Sequence, residues 1–266
     1  MDKKHLITGL LIIVIFVAAI SVVALNLNQN SSPSDLPRFY NYKIINVYPR
    51  STTAYTQGLV FDDDGFLFES VGGWGSSYLR KIDLETGDIL KEHKLSDEYF
   101  AEGLVIVNNT LIQLTWLSER GFVYDKETFD LLRTFDYQTQ GWGLTFDGER
   151  LIMSDGSSTL FFLDPLTYDK IGEITVKDGD APVTELNELE YINNKIYANI
   201  WKEDKIAIID PHTGTVKGWI DLTGLYGPRG YDDVLNGIAY DEQTNRLFIT
   251  GKNWPYLYHV EITPAE

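Results

Sequence analysis

The sequence predicts an all-β fold, a five-bladed β-propeller, preceded by an N-terminal transmembrane or signal helix. Three observations predict it. One segment type recurs five times, each copy alternates β-type apolar runs with Asp/Asn/Gly turns, and a single apolar run at the N-terminus stands outside that pattern. The chain has 266 residues, a length usual for one all-β domain of this kind.

The N-terminal run comes first. Lys3 and Lys4 precede the apolar stretch Leu6 to Leu25. About 20 residues at a rise of ~1.5 Å cross a bilayer core of ~30 Å. The lysines keep the near end inside and put the rest of the chain outside the cytoplasm. A membrane anchor over residues 1–25 is favoured over a cleaved leader, for which Val22 and Ala24 offer a cleavage site. Either reading exports the domain: it is held at the cell membrane by a single pass, or secreted if the segment is cleaved. Residues 26–37, NLNQNSSPSDLP, read as a polar linker, and residues 38–266 as the propeller.

The repeats fill the remainder. They are TQGLVFDDDGFLFES from Thr56, AEGLVIVNNTLIQLTW from Ala101, GWGLTFDGERLIMSD from Gly141, LNELEYINNKIYANIW from Leu186 and LNGIAYDEQTNRLFITGK from Leu235. Taking Gln57, Glu102, Trp142, Asn187 and Asn236 as markers, the spacings are 45, 40, 45 and 49 residues. Each copy predicts a hairpin. A third strand follows, and four of these end in Asp with Thr three residues on: Asp83/Thr86, Asp125/Thr128, Asp164/Thr167 and Asp210/Thr213. There the Asp side chain can hold a tight turn. A fourth strand then runs outward, so one unit is one propeller blade. The last copy lacks its fourth strand, and Tyr42 to Pro49, YKIINVYP, is expected to supply it and close the ring.

The geometry of such a ring locates a site. The first strand of each blade is innermost, so Gln57, Glu102, Trp142, Asn187 and Asn236 should converge on one mouth of the channel. The second strands end beside them, at Ser70, Trp116, Asp155, Trp201 and Lys252. A purely structural repeat would carry like residues at these positions. Here they differ, while the flanking Gly (Glu188 in the fourth copy) and aliphatic positions recur, and that is how a site on a repeat scaffold looks.

Composition excludes several classes. Lys and Arg number 22 against 39 Asp and Glu, a net charge of −17, which argues against a nucleic-acid partner. With no cysteine, disulfides, thiolate zinc sites and thiol nucleophiles are out. The four histidines, His5, His93, His212 and His259, have no metal-ligand spacing.

These residues resemble a known family. YTQGLVFD, FAEGL, LTW, GWGLTFDG, LIMSDGSSTLFFLDP, LNELEYI, YANIW, VKGWIDL, DVLNGIAYD and RLFITGKNWP stand in the order found in plant- and bacterial-type glutaminyl cyclases, also called glutamine cyclotransferases. The resemblance runs from about Tyr42 to the end of the chain. It implies a five-bladed propeller that converts N-terminal glutamine of a peptide, or free glutamine, to pyroglutamate with loss of ammonia. It further implies Glu102 as the catalytic acid/base and Lys252 and Asn187 as donors to the developing oxyanion. Gln57, Tyr55, Trp116, Trp142 and Trp201 would be substrate-binding. Tyr55 stands where several members carry Phe, and Trp74 where a smaller aromatic is more usual, a change that could alter the pocket rim. The reaction implied needs no metal and no other cofactor, unlike that of the animal-type cyclases. A monomer is expected.

The chemistry is consistent with those roles. The α-amine attacks the γ-carboxamide carbon, and one carboxylate can pass a proton from the attacking nitrogen to the leaving one. Tryptophan walls should raise the Glu102 pKa and Lys252 should lower it, so the net direction stays open at this point. Glu188 and Glu190 could brace Lys252 or bind the substrate amine. Asp62-Asp63-Asp64-Gly65 reads as a hairpin turn before it reads as a structural calcium site. Two other functions compete: a non-catalytic propeller that binds a peptide or protein, and a metal-dependent lactonase or esterase.

Overall fold

The computed structural model describes residues 36–227 and 230–265. The apolar run at Leu6 to Leu25 lies outside the described residues, as does nearly all of the linker. Residues from Pro37 onward form one compact unit, and it is all β. Among the described residues no helix is long and apolar enough to cross a membrane.

β1 (Arg38–Pro49) opens the unit. β2 (Thr56–Phe61), β3 (Leu67–Val71), β4 (Tyr78–Ile82) and β5 (Ile89–Lys94) then pair in order as an antiparallel sheet. β6 (Ala101–Val107), β7 (Thr110–Thr115), β8 (Arg120–Asp125) and β9 (Leu131–Asp136) repeat the arrangement, as do β10 (Leu144–Phe146), β11 (Leu151–Ser154), β12 (Thr159–Leu163) and β13 (Lys170–Thr175). A short ribbon, β14 (Lys177–Asp178) with β15 (Ala181–Pro182), follows; Asp178 accepts from the Trp219 indole at 2.9 Å. β16 (Leu186–Ile192), β17 (Lys195–Ile200), β18 (Lys205–Ile209) and β19 (Val216–Asp221) come next, then β20 (Leu235–Asp241), β21 (Arg246–Gly251) and β22 (Tyr256–Pro264).

The last seven strands and β1 make one eight-stranded sheet in the order β16-β17-β18-β19-β1-β22-β21-β20. As expected, β1 completes the final repeat: it runs antiparallel to β22 from Tyr40 opposite Pro264 to Pro49 opposite Tyr256. It starts four residues earlier than Tyr42, however. Arg38 to Tyr40 also pair, in parallel, with Gly218 to Ile220 of β19. The backbone groups of that edge would otherwise be unpaired, and the extra residues cover them. Burial follows: β19 is largely buried, whereas the equivalent outer strands β5, β9 and β13 alternate or face solvent.

The first strands of the repeats are buried almost throughout and touch in a closed cycle, β2 to β6 to β10 to β16 to β20 and back to β2. Apolar clusters fill the gaps between neighbouring sheets, for example Phe68, Leu79, Leu104 and Leu111 between the first and second sheets. The repeated glycine serves this close approach. A Cβ on Gly103 would sit 2.6 Å from the Leu144 nitrogen, and one on Gly143 2.1 Å from the Asn187 oxygen. The Asp/Thr turns form as read: Asp83, Asp125, Asp164 and Asp210 accept from the backbone N–H of Thr86, Thr128, Thr167 and Thr213 at 2.8–3.1 Å.

Candidate active site

Local backbone irregularity builds the site. The first strands lose register with their partners at their starts, between Thr56 and Gly58, Ala101 and Leu104, Leu186 and Leu189, and Leu235 and Ile238. Gln57, Glu102, Asn187 and Asn236 all lie inside these breaks. A bulge re-aims a side chain that regular alternation would send to a sheet face. In the third sheet β10 is short and Trp142 precedes it, its carbonyl accepting from the Gly103 N–H at 2.7 Å.

The result is a cleft lined by Tyr55, Gln57, Phe100, Glu102, Trp116, Trp142, Asn187, Trp201 and Lys252. The eight residues singled out from sequence therefore share one cleft. Phe100 is an addition. It stands two residues before Glu102 in the FAEGL segment, and a lining aromatic could have been read there from the motif.

Glu102 is 5% exposed and accepts a hydrogen bond from Gln57 Nε2 on Oε1 at 2.8 Å. Burial pushes its carboxyl well above the usual range, with the Lys252 charge opposing, so the direction left open by the sequence is upward. Lys252 is 3% exposed, and burial lowers its ammonium to about 8 against the pull of Glu102 and Asp232. Among the described residues no ion pair within 4 Å joins the two, although each bears electrostatically on the other. Nζ of Lys252 lies 4.7 Å from the Tyr55 ring centroid. The Tyr55 hydroxyl is pushed up to about 12, by burial first and then by Asp232, Glu102 and Asp233. Asn187 is buried, and its Oδ1 has no hydrogen-bond partner among the described residues.

The walls are aromatic. Trp142 and Trp201 meet edge to face at 5.6 Å. Phe100 contacts Tyr55 at 6.2 Å, Trp116 at 5.7 Å and Trp74 at 5.6 Å. Trp74 is 54% exposed and extends this wall outward. One residue that sequence reasoning missed ties the walls together. Gln140 Oε1 accepts from both indoles, Trp116 Nε1 at 2.6 Å and Trp142 Nε1 at 3.0 Å. It sits in a loop outside every repeat, where no pattern marks it.

Other expected members fall elsewhere. Ser70 accepts from Gln113 Nε2 at 2.8 Å, a contact between sheets away from the cleft. Asp155 takes a bond from Ser157 in its own turn and another from Thr139 in the loop that precedes β10. Asn236 lies behind Gln57 and does not line the cleft. Neither Glu188 nor Glu190 braces Lys252: Glu188 accepts from the Leu59 and Ile238 amides at 3.3 and 2.8 Å, and Glu190 from the Tyr240 amide at 2.9 Å. Asp62 accepts from the Asp64 and Phe66 amides and pairs with Lys126 at 3.1 Å, so its carboxylate is engaged in a turn. Among the described residues no group of three or more His, Cys, Asp or Glu side chains could hold a metal ion.

A family model described as glutamine cyclotransferase matches residues 15–262. A glutaminyl-peptide cyclotransferase of Arabidopsis thaliana is 42% identical over 235 residues, 86% of this chain and 73% of that protein. The crystal structure of a glutaminyl cyclase from Myxococcus xanthus superposes with a TM-score of 0.82 at 38% identity, over 86% of this chain and all of that one.

Proposed function

The chain belongs to the glutamine cyclotransferase family, and from that premise we propose how its cleft performs the reaction. The activity is that of a glutaminyl-peptide cyclotransferase. Peptides with N-terminal glutamine, or free glutamine, are the substrates. The substrate's side chain folds back between the aromatic walls, which bring the α-amine and the γ-carboxamide carbon together and exclude water. The amine nitrogen attacks that carbon as Glu102 takes one of its protons. Lys252 and the Asn187 amide donate to the tetrahedral oxyanion. Glu102 then returns the proton to the γ-nitrogen, the old C–N bond breaks, and ammonia and pyroglutamate leave.

The observation that carries this reading is the pairing of a carboxyl raised by burial with an ammonium lowered by it, in one aromatic cleft. Both shifts bring the groups toward neutral pH, where proton transfer in either direction is easiest. A surface that merely binds peptides has no use for two buried ionisable groups, whose desolvation is costly. The donor set is a single carboxylate with amides, a lysine and indoles, which suits acid/base catalysis without a metal.

The same proposal covers what surrounds the cleft. The closed cycle of sheets is read as a five-bladed β-propeller over residues 38–266. The run Leu6 to Leu25 is read as a membrane anchor with the domain outside the cytoplasm. One copy carries every cleft residue, so a monomer suffices. The test is to incubate the full chain with a Gln-peptide and measure ammonia, with and without chelator. Equal release in both arms is expected. No ammonia in either arm would overturn the activity, and a loss on chelation restored by zinc would overturn the metal-free mechanism.

A further inference from the structure

We propose that Asn236 is a positioning residue that decides, through Gln57, which oxygen of Glu102 carries the proton. This rests on the reading of Glu102 as the acid/base group. Asn236 comes from β20, Gln57 from β2 and Glu102 from β6, so three sheets contribute one side chain each to a single chain of hydrogen bonds.

The orientation of every amide in the chain follows from one backbone carbonyl. The Thr56 oxygen can only accept, so the Asn236 atom 2.9 Å from it is the donor Nδ2. The same nitrogen lies 3.1 Å from the Gln57 amide, and because it can only donate, the atom it meets is Gln57 Oε1. That leaves Nε2 as the end of Gln57 that points, at 2.8 Å, to Glu102 Oε1. Oε1 must accept. A carboxylic hydroxyl oxygen is the poorer acceptor, so the proton of neutral Glu102 belongs on Oε2, the oxygen left for the substrate's nitrogens.

Asn236 is fully buried, and its own Oδ1 has no hydrogen-bond partner among the described residues. An amide half satisfied in an apolar interior is an expensive way to fill space. Its donor side explains its presence, because locking Gln57 denies the neutral acid a partner. With Asn236 gone, Gln57 can turn over and accept from a protonated Oε1. That stabilises neutral Glu102 and holds its proton on the wrong side.

The experiment follows kcat/KM and kcat against pH for Asn236→Leu, with a Gln-peptide as substrate and melting temperature as the check on folding. The other groups that bear on Glu102 stay in place in this variant: Lys252, Tyr55, Tyr137, and Asp232 acting on Lys252. The expected result is an acid limb displaced to higher pH, turnover on that limb lower by roughly tenfold, as for one hydrogen bond to a charged group, and KM nearly unchanged. In a Gln57→Leu background the same substitution should move the limb no further. If the leucine variant does not fold, Asn236→Ala carries the same readout. An unmoved limb in a folded variant, or a displacement that persists without Gln57, overturns the inference. Glu102→Gln, measured alongside, keeps the two failures apart: its inactivity beside an unmoved Asn236→Leu limb sinks only this proposal, whereas its full activity sinks the role of Glu102 itself.

Discussion

Glu102 and Glu188 are two carboxylic acids in nearly equivalent places that serve opposite ends. Both lie in the register breaks at the starts of first strands, both are buried, and burial pushes both well above the usual carboxyl range. Glu102 takes the position that points to the mouth. One of its oxygens is held by a side-chain amide and it faces a lysine. Glu188 stands one position deeper, where the other repeats carry Gly58, Gly103, Gly143 and Gly237. Its two oxygens accept from backbone amides of two other first strands, Leu59 of β2 and Ile238 of β20. The raised carboxyl is therefore shared and does not mark function by itself; its pairing with the Lys252 ammonium in one aromatic cleft does. What separates the two is whether the partners are fixed backbone or groups a substrate can replace.

The strongest break of this comparison is Glu102→Gln. It should leave the fold intact and lower turnover by roughly 10²–10⁴-fold, the range for a lost acid/base group. A steady-state assay with a melting curve checks both halves. Lys252→Met comes next, with kcat reduced by about 10²–10³-fold and KM changed far less, as for a lost oxyanion donor. The ammonium must be protonated to donate, and its pKa is lowered to about 8, so wild-type activity should fall as pH rises through that value. Lys252→Arg should move that basic limb upward while retaining part of kcat, because arginine keeps its proton.

On the other side of the comparison, Glu188→Ala should spare chemistry and cost stability. Two buried amides lose their acceptor, a loss of about 2–5 kcal/mol that denaturant unfolding would read. Glu190 offers a subtler contrast. Burial raises it to about 8, above its unfolded value, so its contribution to stability is full below that unfolded value and is lost as pH rises through about 8. The melting temperature of Glu190→Gln should accordingly fall less steeply between acid and alkaline pH than that of the wild type. The smallest effect is expected of Gln140→Leu. Freeing both indole N–H groups loosens the wall, worth about 1 kcal/mol and seen mainly as a higher KM, with a change in tryptophan emission. Gln140→Glu, which keeps the acceptor, should restore it.

Much of this was open to a reader of the chain alone. The spacing of the repeats set the boundaries of the sheets, because each unit is a local run of hairpins whose turn residues carry their own geometry. The Asp/Thr turns and the convergence of Gln57, Glu102, Asn187 and Lys252 on one cleft follow from that regularity, and Tyr42 to Pro49 was legible as the missing strand from the count of strands. What the chain could not disclose depends on departures from alternation and on contacts between distant segments. Side-chain direction in a strand is read by assuming period two, and the register breaks around Glu102 and Asn187 reset that count locally. Whether Glu188 would face lysine or backbone turned on where β2 and β20 lie against β16, more than a hundred and about fifty residues away. The pairing of Arg38 to Tyr40 with β19, the clamp of Gln140 on two indoles and the hold of Asn236 on Gln57 belong to the same class. Each is a hydrogen bond between segments whose approach only the closed ring of sheets decides, since a donor and an acceptor carry no mark in sequence of the partner that packing will bring to them.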